Sequence, residues 1–395
     1  MDPTRRRLLT GALATTALAA CAPAPRATAP RPSASPRSAG RLLAATSSGL
    51  AVADLATGRV TAYAGALATP DASRLYYVTG RRLHTITPGS AEPSESWPVG
   101  EGGHVKAASG LSAVLGPPPG PRRNTTLTFA GARGVREVSL PGNVEPEAFS
   151  SDGTVMYFLD HLPPGAPDHY RVRMYDMAAR ETLPLLTRDK QPVPQGKEEE
   201  MRGQARQSVY GQRTLFTLYT HQPDHLHTRD LVSGRDGSPG VHAFVHVLKL
   251  DERWAYCLDL PAPFGVGPAA GHALALTGDH LYVFDATSGQ LARASVTELS
   301  VVKTAALGAG PGGEAFAVAA GERLYLAVGR RLLALDGADL TTVADRPLPD
   351  AAKGVTTLGD RVLVGAGERV LEVDGSGTRV LATVPGLTAV RHAAA

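Results

Sequence analysis

Gly321-Glu-Arg-Leu-Tyr-Leu-Ala-Val-Gly329-Arg-Arg-Leu-Leu-Ala-Leu-Asp336-Gly337 and Gly359-Asp-Arg-Val-Leu-Val-Gly-Ala-Gly367-Glu-Arg-Val-Leu-Glu-Val-Asp374-Gly375 share one pattern at a constant offset of 38 residues. In each, a short apolar run ends at a glycine, a second run follows, and Asp-Gly closes the unit. Upstream, Arg74-Leu-Tyr-Tyr-Val-Thr-Gly80-Arg-Arg-Leu83 has the same internal spacing as Arg323 to Leu332. Short apolar or alternating runs between Gly, Asp and Asn turns are the signature of strands joined by tight hairpins. Asp54-Leu-Ala-Thr-Gly58 and Asp285-Ala-Thr-Ser-Gly289 are punctuation of the same kind, supplying positive φ and local side-chain hydrogen bonds.

No segment longer than a turn or two carries helical periodicity with caps, so the repeat is all-β. A period of about 40 residues matches one four-stranded propeller blade, and blades bury their faces only by stacking around an axis. Second strands are expected to start near Arg41, Arg74, Leu111, Thr154, Arg213, His280, Arg323 and Arg361, which gives eight blades, with seven as the alternative if the N-terminal unit is partial. The wide interval from Arg213 to His280 holds an insertion with Ser233-Gly-Arg-Asp-Gly-Ser-Pro-Gly240. The first unit lacks an inner strand, and Leu387-Thr-Ala-Val-Arg391 is placed to supply it.

With Ala148-Phe-Ser-Ser-Asp-Gly153 followed by Val155-Met-Tyr-Phe158, the chain from Arg41 to Ala395 resembles the secreted bacterial β-propellers of the YVTN and lactonase-like type. Such motifs are generic to propellers. The Trp-Asp signature of WD repeats is missing, and no catalytic residue of the group has a matching motif here. Over 395 residues the net charge is +3, with 43% hydrophobic and 19% charged residues. That balance describes a globular chain rather than a disordered or nucleic-acid-binding one.

The N-terminus carries an export address. Arg5, Arg6 and Arg7 precede an apolar run from Leu8 to Ala20, which is shorter than the roughly 20 apolar residues a membrane-spanning helix needs. Leu18-Ala19-Ala20-Cys21 then resembles a bacterial lipoprotein box, which implies cleavage of residues 1–20 and a mature chain beginning at an acylated Cys21, anchored to the outer face of the cell membrane. Acyl chains would take the place of a spanning helix. Thr4-Arg5-Arg6-Arg7-Leu8-Leu9 also looks like the twin-arginine motif. Residues 22–40, almost entirely Ala, Pro, Ser, Thr and Arg, read as an extended tether to a propeller domain at 41–395. Cys257 is left without a disulfide partner and reads as a buried thiol.

The candidate chemistry is polar and scattered. If inner strands converge on an axial channel, His104, Glu147, His272 and Glu314 occupy equivalent positions around it, a ring able to hold a divalent metal or cationic ligand, against the plainer expectation of hydrogen-bonded channel residues. His221, Asp224, His225 and His227 form the densest histidine cluster, with His225 and His227 on one side of an extended loop. Such a cluster could bind a transition metal, but the plainer reading is an exposed loop. His242 and His246 share a strand face, and Lys197-Glu-Glu-Glu200 reads as a solvated charge run. Gly265-Val-Gly267-Pro-Ala-Ala270, with Asp285 beyond it, imitates a dinucleotide fingerprint in spacing, but a strand rather than a helix follows, so no N-terminal amides face a phosphate.

These readings give a monomeric, lipid-anchored, extracytoplasmic propeller that binds a small-molecule ligand or protein partner without catalysis of its own, with no nucleic acid and with a divalent metal as the one cofactor its residues could hold. The alternatives are a metal-dependent hydrolase of the lactonase kind using the channel ring, and a structural envelope protein.

Overall fold

Gly321, Gly329, Gly359 and Gly367, the turn glycines of the paired repeats, all adopt φ between +54° and +61°, a left-handed conformation that a side chain makes costly. In the computed structural model Gly321 and Gly359 close the hairpins that lead into strands Arg323–Val328 and Arg361–Ala366, and Gly329 and Gly367 close the hairpins that join those strands to Arg331–Asp336 and Arg369–Asp374. The structure describes residues 40–395 apart from 102, 203, 212, 238, 241, 309–311 and 376, with the backbone alone for 204–206. The signal segment, Cys21 and the tether as far as Ala39 lie outside the described residues, as do three positions of the glycine-rich stretch 308–313.

The strands make eight antiparallel sheets of four, a β-propeller of eight blades. Blades two to eight span 67–98, 104–141, 143–184, 204–259, 272–306, 315–347 and 352–383, each strand pairing with the next in sequence. Blade one is composite. Its strands Arg41–Thr46, Gly49–Asp54 and Val60–Ala64 come from the start of the domain, and its inner strand is Leu387–Ala394 from the end. The pairing runs from Arg41 opposite Ala394 to Thr46 opposite Leu387, so the last strand closes the ring that the first opens. The expected second strands all form within one residue of their expected starts, and eight rather than seven is the blade number.

Eight hydrophobic clusters fill the interfaces between successive blades, including the one between blades eight and one, where Leu363 and Val370 meet Leu42 and Ala44. A blade therefore buries both faces. In Arg323–Val328, Leu324 and Leu326 pack toward blade six while Ala327 packs toward blade eight. This is why second strands read as nearly continuous apolar runs, Thr214–Thr220 being buried at every position. Each such Leu or Val contributes about 1.5–3 kcal/mol.

Inner strands of neighbouring blades touch around the axis, among them those of blades five and six, six and seven, and seven and eight. The insertion lies inside blade five, between Thr214–Thr220 and Ala243–Lys249, and carries a one-and-a-half-turn helix at Thr228–Ser233. At the imitation fingerprint, a single 3-10 turn at Ala269–Gly271 leads directly into strand His272–Leu276. No phosphate-binding helix follows it.

Candidate functional site

The four channel candidates do not assemble into one coordination set. His104 begins its inner strand in an exposed position, and Glu314 is exposed just ahead of its strand Ala315–Ala320. His272 is fully buried: its Nε2 accepts from the Gly265 N–H at 3.0 Å and its Nδ1 donates to the Pro268 carbonyl at 3.1 Å. Both ring nitrogens are thus engaged by the loop that leads into blade six, with Asp285 3.7 Å away. Glu147 stands half-buried on strand Asn143–Phe149, and burial, with the charge of Glu145 added, pushes its carboxyl up to about 7. Glu145 itself is held below the usual carboxylate range by the hydrogen bond with His161, burial notwithstanding, and Lys106 lies 3.8 Å from it.

The chemistry gathers instead in blade five. On strand Trp254–Asp259 the two-residue alternation puts Cys257 and Asp259 on one face, and His246 pairs across from Cys257. The insertion brings His225 and His227 to that face, and the connection from blade four brings Glu199. Glu199 Oε1 is the common acceptor, 2.7 Å from His225 Nε2, 3.0 Å from His227 Nδ1 and 2.9 Å from the Cys257 thiol. Its Oε2 takes the Thr228 backbone N–H at 3.0 Å, satisfying an open donor of the helix's first turn. His227 Nε2 meets Asp259 Oδ1 at 2.6 Å, and Arg229 binds the other oxygen at 2.7 Å. The Arg229 guanidinium also lies over the Tyr256 ring, 4.8 Å from its centroid. His225 stacks on Phe244 at 4.6 Å, and His227 meets the same ring edge-on at 5.1 Å.

Burial alone would neutralise these groups, yet their partners outweigh it. Burial raises the Glu199 carboxyl, but the hydrogen bonds with His225 and His227 hold it well below the usual range. Burial likewise depresses His227, but Asp259 and Glu199 lift it to about 9. Asp259 is lowered by His227 and Arg229 against its own desolvation. Cys257 goes the other way: burial and the adjacent Glu199 charge push its thiol well above the ordinary value. His246, buried beside them, is driven down to about 4 by desolvation. At neutral pH two carboxylates are therefore balanced by an imidazolium and a guanidinium, with an un-ionised thiol among them.

A cavity of about 520 Å³ opens over this cluster, walled by Arg171, Glu200, Arg202, His221, Asp224 and His225. Arg171 is fixed there by Asp160 and Glu198, both at 3.0 Å. On the inner side, Glu199, Thr228 and His246 border a void of about 30 Å³. A separate cavity of about 220 Å³ lies between blades three and four, lined by Lys106, Glu145, His161 and the proline-rich loop 117–121.

The histidine cluster of the sequence thus divides. His221 and Asp224 are exposed on the cavity wall, whereas His225 and His227, expected on an exposed loop, are buried at 7% and 2% exposure. Glu199 belongs to a charge run whose expected role was solvation, yet its side chain is only 12% exposed. Cys257 is buried as expected but also donates to that carboxylate. The alternation of His225 with His227 and of Cys257 with Asp259 is the one sequence signal that marks these residues.

No family model matches the chain, and no curated protein matches it. Among solved structures, it is similar to BamB from Moraxella catarrhalis at 10% identity and TM-score 0.43, over 82% of this chain and 90% of that one. Apo AztD from Citrobacter koseri aligns at 12% identity and TM-score 0.39, over 79% and 95%. The dihydro-heme d1 dehydrogenase NirN aligns at 14% identity and TM-score 0.47, over 93% and 77%.

Proposed function

We propose that this protein is an exported β-propeller, tethered to a bilayer through acylated Cys21, that works as a binding module for a ligand or protein partner at the blade-five cavity. The observation that carries this reading is the cavity of about 520 Å³, whose charged wall is already held by ion pairs to Arg171. Preset polar groups around an open concavity lower the ordering cost of binding. Its wall comes from the connection between blades four and five and from the insertion, the kind of segment on which a rigid scaffold displays specificity. The hydrolase alternative rests on the channel ring, and the engagement of both His272 nitrogens by the loop before blade six speaks against that ring as a metal set.

Affinity capture from the membrane fraction, comparing the native chain with a His221→Ala, Asp224→Ala, Arg202→Ala variant, tests the cavity. Loss of the enriched species in the variant is expected, and an unchanged captured set would refute the cavity as the binding face. For the anchor, mass spectrometry of the mature N-terminal peptide is expected to find a diacylglyceryl group on Cys21. An unmodified cysteine there would overturn the tethering.

A further inference from the structure

We infer that Glu199, His227 and Cys257 form a site for one divalent d-block cation of the zinc class, with His225 offering a fourth donor from the cavity side. Among the described residues these three bring one ligand atom each within 4.8 Å of one another. Tetrahedral zinc, with bonds of about 2.0–2.3 Å, keeps its ligand atoms roughly 3.3–3.8 Å apart. Here the imidazole and thiol stand 3.0 Å and 2.9 Å from the carboxylate oxygen and within 4.8 Å of each other, so side-chain shifts of about an ångström bring the three atoms onto one centre.

The donor types select the metal. Thiolate with imidazole and carboxylate suits a borderline-soft cation and disfavours calcium or magnesium, which take oxygen ligands. The outer contacts are those a metal histidine requires. His227 directs Nδ1 to the centre and gives its other N–H to Asp259, which Arg229 holds in turn, while Thr228 fixes the second oxygen of Glu199. Blade five also needs nothing so polar for its packing, since the same interface already buries Leu215, Tyr219, Phe244 and Leu248. In the metal-free chain the protons on sulfur and nitrogen occupy the place of the ion, all converging on Glu199 Oε1.

Binding then balances as an exchange. The cation enters, the Cys257 Sγ–H and His227 Nδ1–H protons leave to solvent, and two anionic ligands neutralise the dipositive charge. The thiol, inert in the protonated state, becomes a thiolate only on the metal. Glu199, His227 and Cys257 lie off the cavity wall, so the site meets the cavity above it only through His225.

The test uses the full chain, stripped with a chelator and titrated with Zn2+ by calorimetry in buffers of different ionisation enthalpy. Uptake of one ion per chain with release of about two protons is expected. Co2+ in place of Zn2+ is expected to give a thiolate-to-metal charge-transfer band that Cys257→Ser abolishes. Asp259→Asn, which touches no ion, is expected to weaken Zn2+ affinity about 10–100-fold while the β-rich circular dichroism spectrum is retained. That loss of affinity separates a metal site from a purely structural hydrogen-bond network. Zn2+ uptake no greater than in Glu199→Gln, or a cobalt band that persists in Cys257→Ser, overturns the inference. Should Glu199→Gln fail to fold, Cys257→Ser and Asp259→Asn decide it, and partner capture by the metal-free chain reports on the cavity separately.

Discussion

Glu147→Gln isolates the most perturbed carboxyl of the inner strands. Half-buried on strand Asn143–Phe149 beside the charge of Glu145, Glu147 has its carboxyl pushed up by desolvation to about 7 in the folded chain against 4.5 in its ordinary state. A folded-state value above the unfolded one means that the native chain binds more protons between those limits, so stability falls as pH rises from about 4.5 to about 7 and is level beyond. At 1.36 kcal/mol per unit the full shift amounts to roughly 3 kcal/mol, and residual solvent around the half-buried side chain reduces it to about 2 kcal/mol. Glutamine keeps the shape and removes the ionisation. Urea unfolding of native and Glu147→Gln chains at pH 5 and pH 8 measures it as a difference of differences, in which every histidine cancels. The variant is expected to gain about 2 kcal/mol relative to the native chain on going from pH 5 to pH 8. An equal response of the two chains to pH, or a variant that loses ground at pH 8, would refute the desolvation argument.

Two further outcomes test the fold. Removing residues 387–395 takes away the inner strand of blade one and leaves Arg41–Thr46 with an unpaired edge, so the shortened chain is expected to associate through that edge in analytical ultracentrifugation, and a stable monomer would show that closure is dispensable. Tyr157→Phe removes the hydroxyl that donates to the buried Leu250 carbonyl across the interface of blades four and five. It is expected to cost about 1–3 kcal/mol in urea unfolding, as an orphaned acceptor does. A neutral variant would mean that water replaces the bond.

Most of the propeller was legible because its signals are local. Apolar runs of strand length between turn residues locate each second strand, and the missing inner strand of the first unit pointed to Leu387–Arg391 as its replacement. The blade-five cluster was only half legible. His225 and His227 stood out by spacing, but their burial follows from the insertion folding back onto Phe244, which loop composition does not encode. Glu199 lay inside Lys197–Glu200, where nothing local distinguishes it from Glu198 or Glu200. Cys257 was read as a core thiol, and its strand gives no hint of the carboxylate it meets. His272 illustrates the reverse: an equivalent place on an inner strand suggested a channel residue, while a neighbouring loop captured both its nitrogens.

By itself the sequence determined the repeat, its strands and their turns, and left the ring at eight units or seven, because alternation and positive-φ glycines act over a few residues at a time. Only the tertiary structure decided which polar side chains share a site. Glu199 lies 26, 28 and 58 residues from His225, His227 and Cys257, and groups so far apart meet only once two blades have stacked and an insertion has closed between their strands. Their proximity depends on contacts whose cost and return are settled by the whole ring, not by any stretch of the chain.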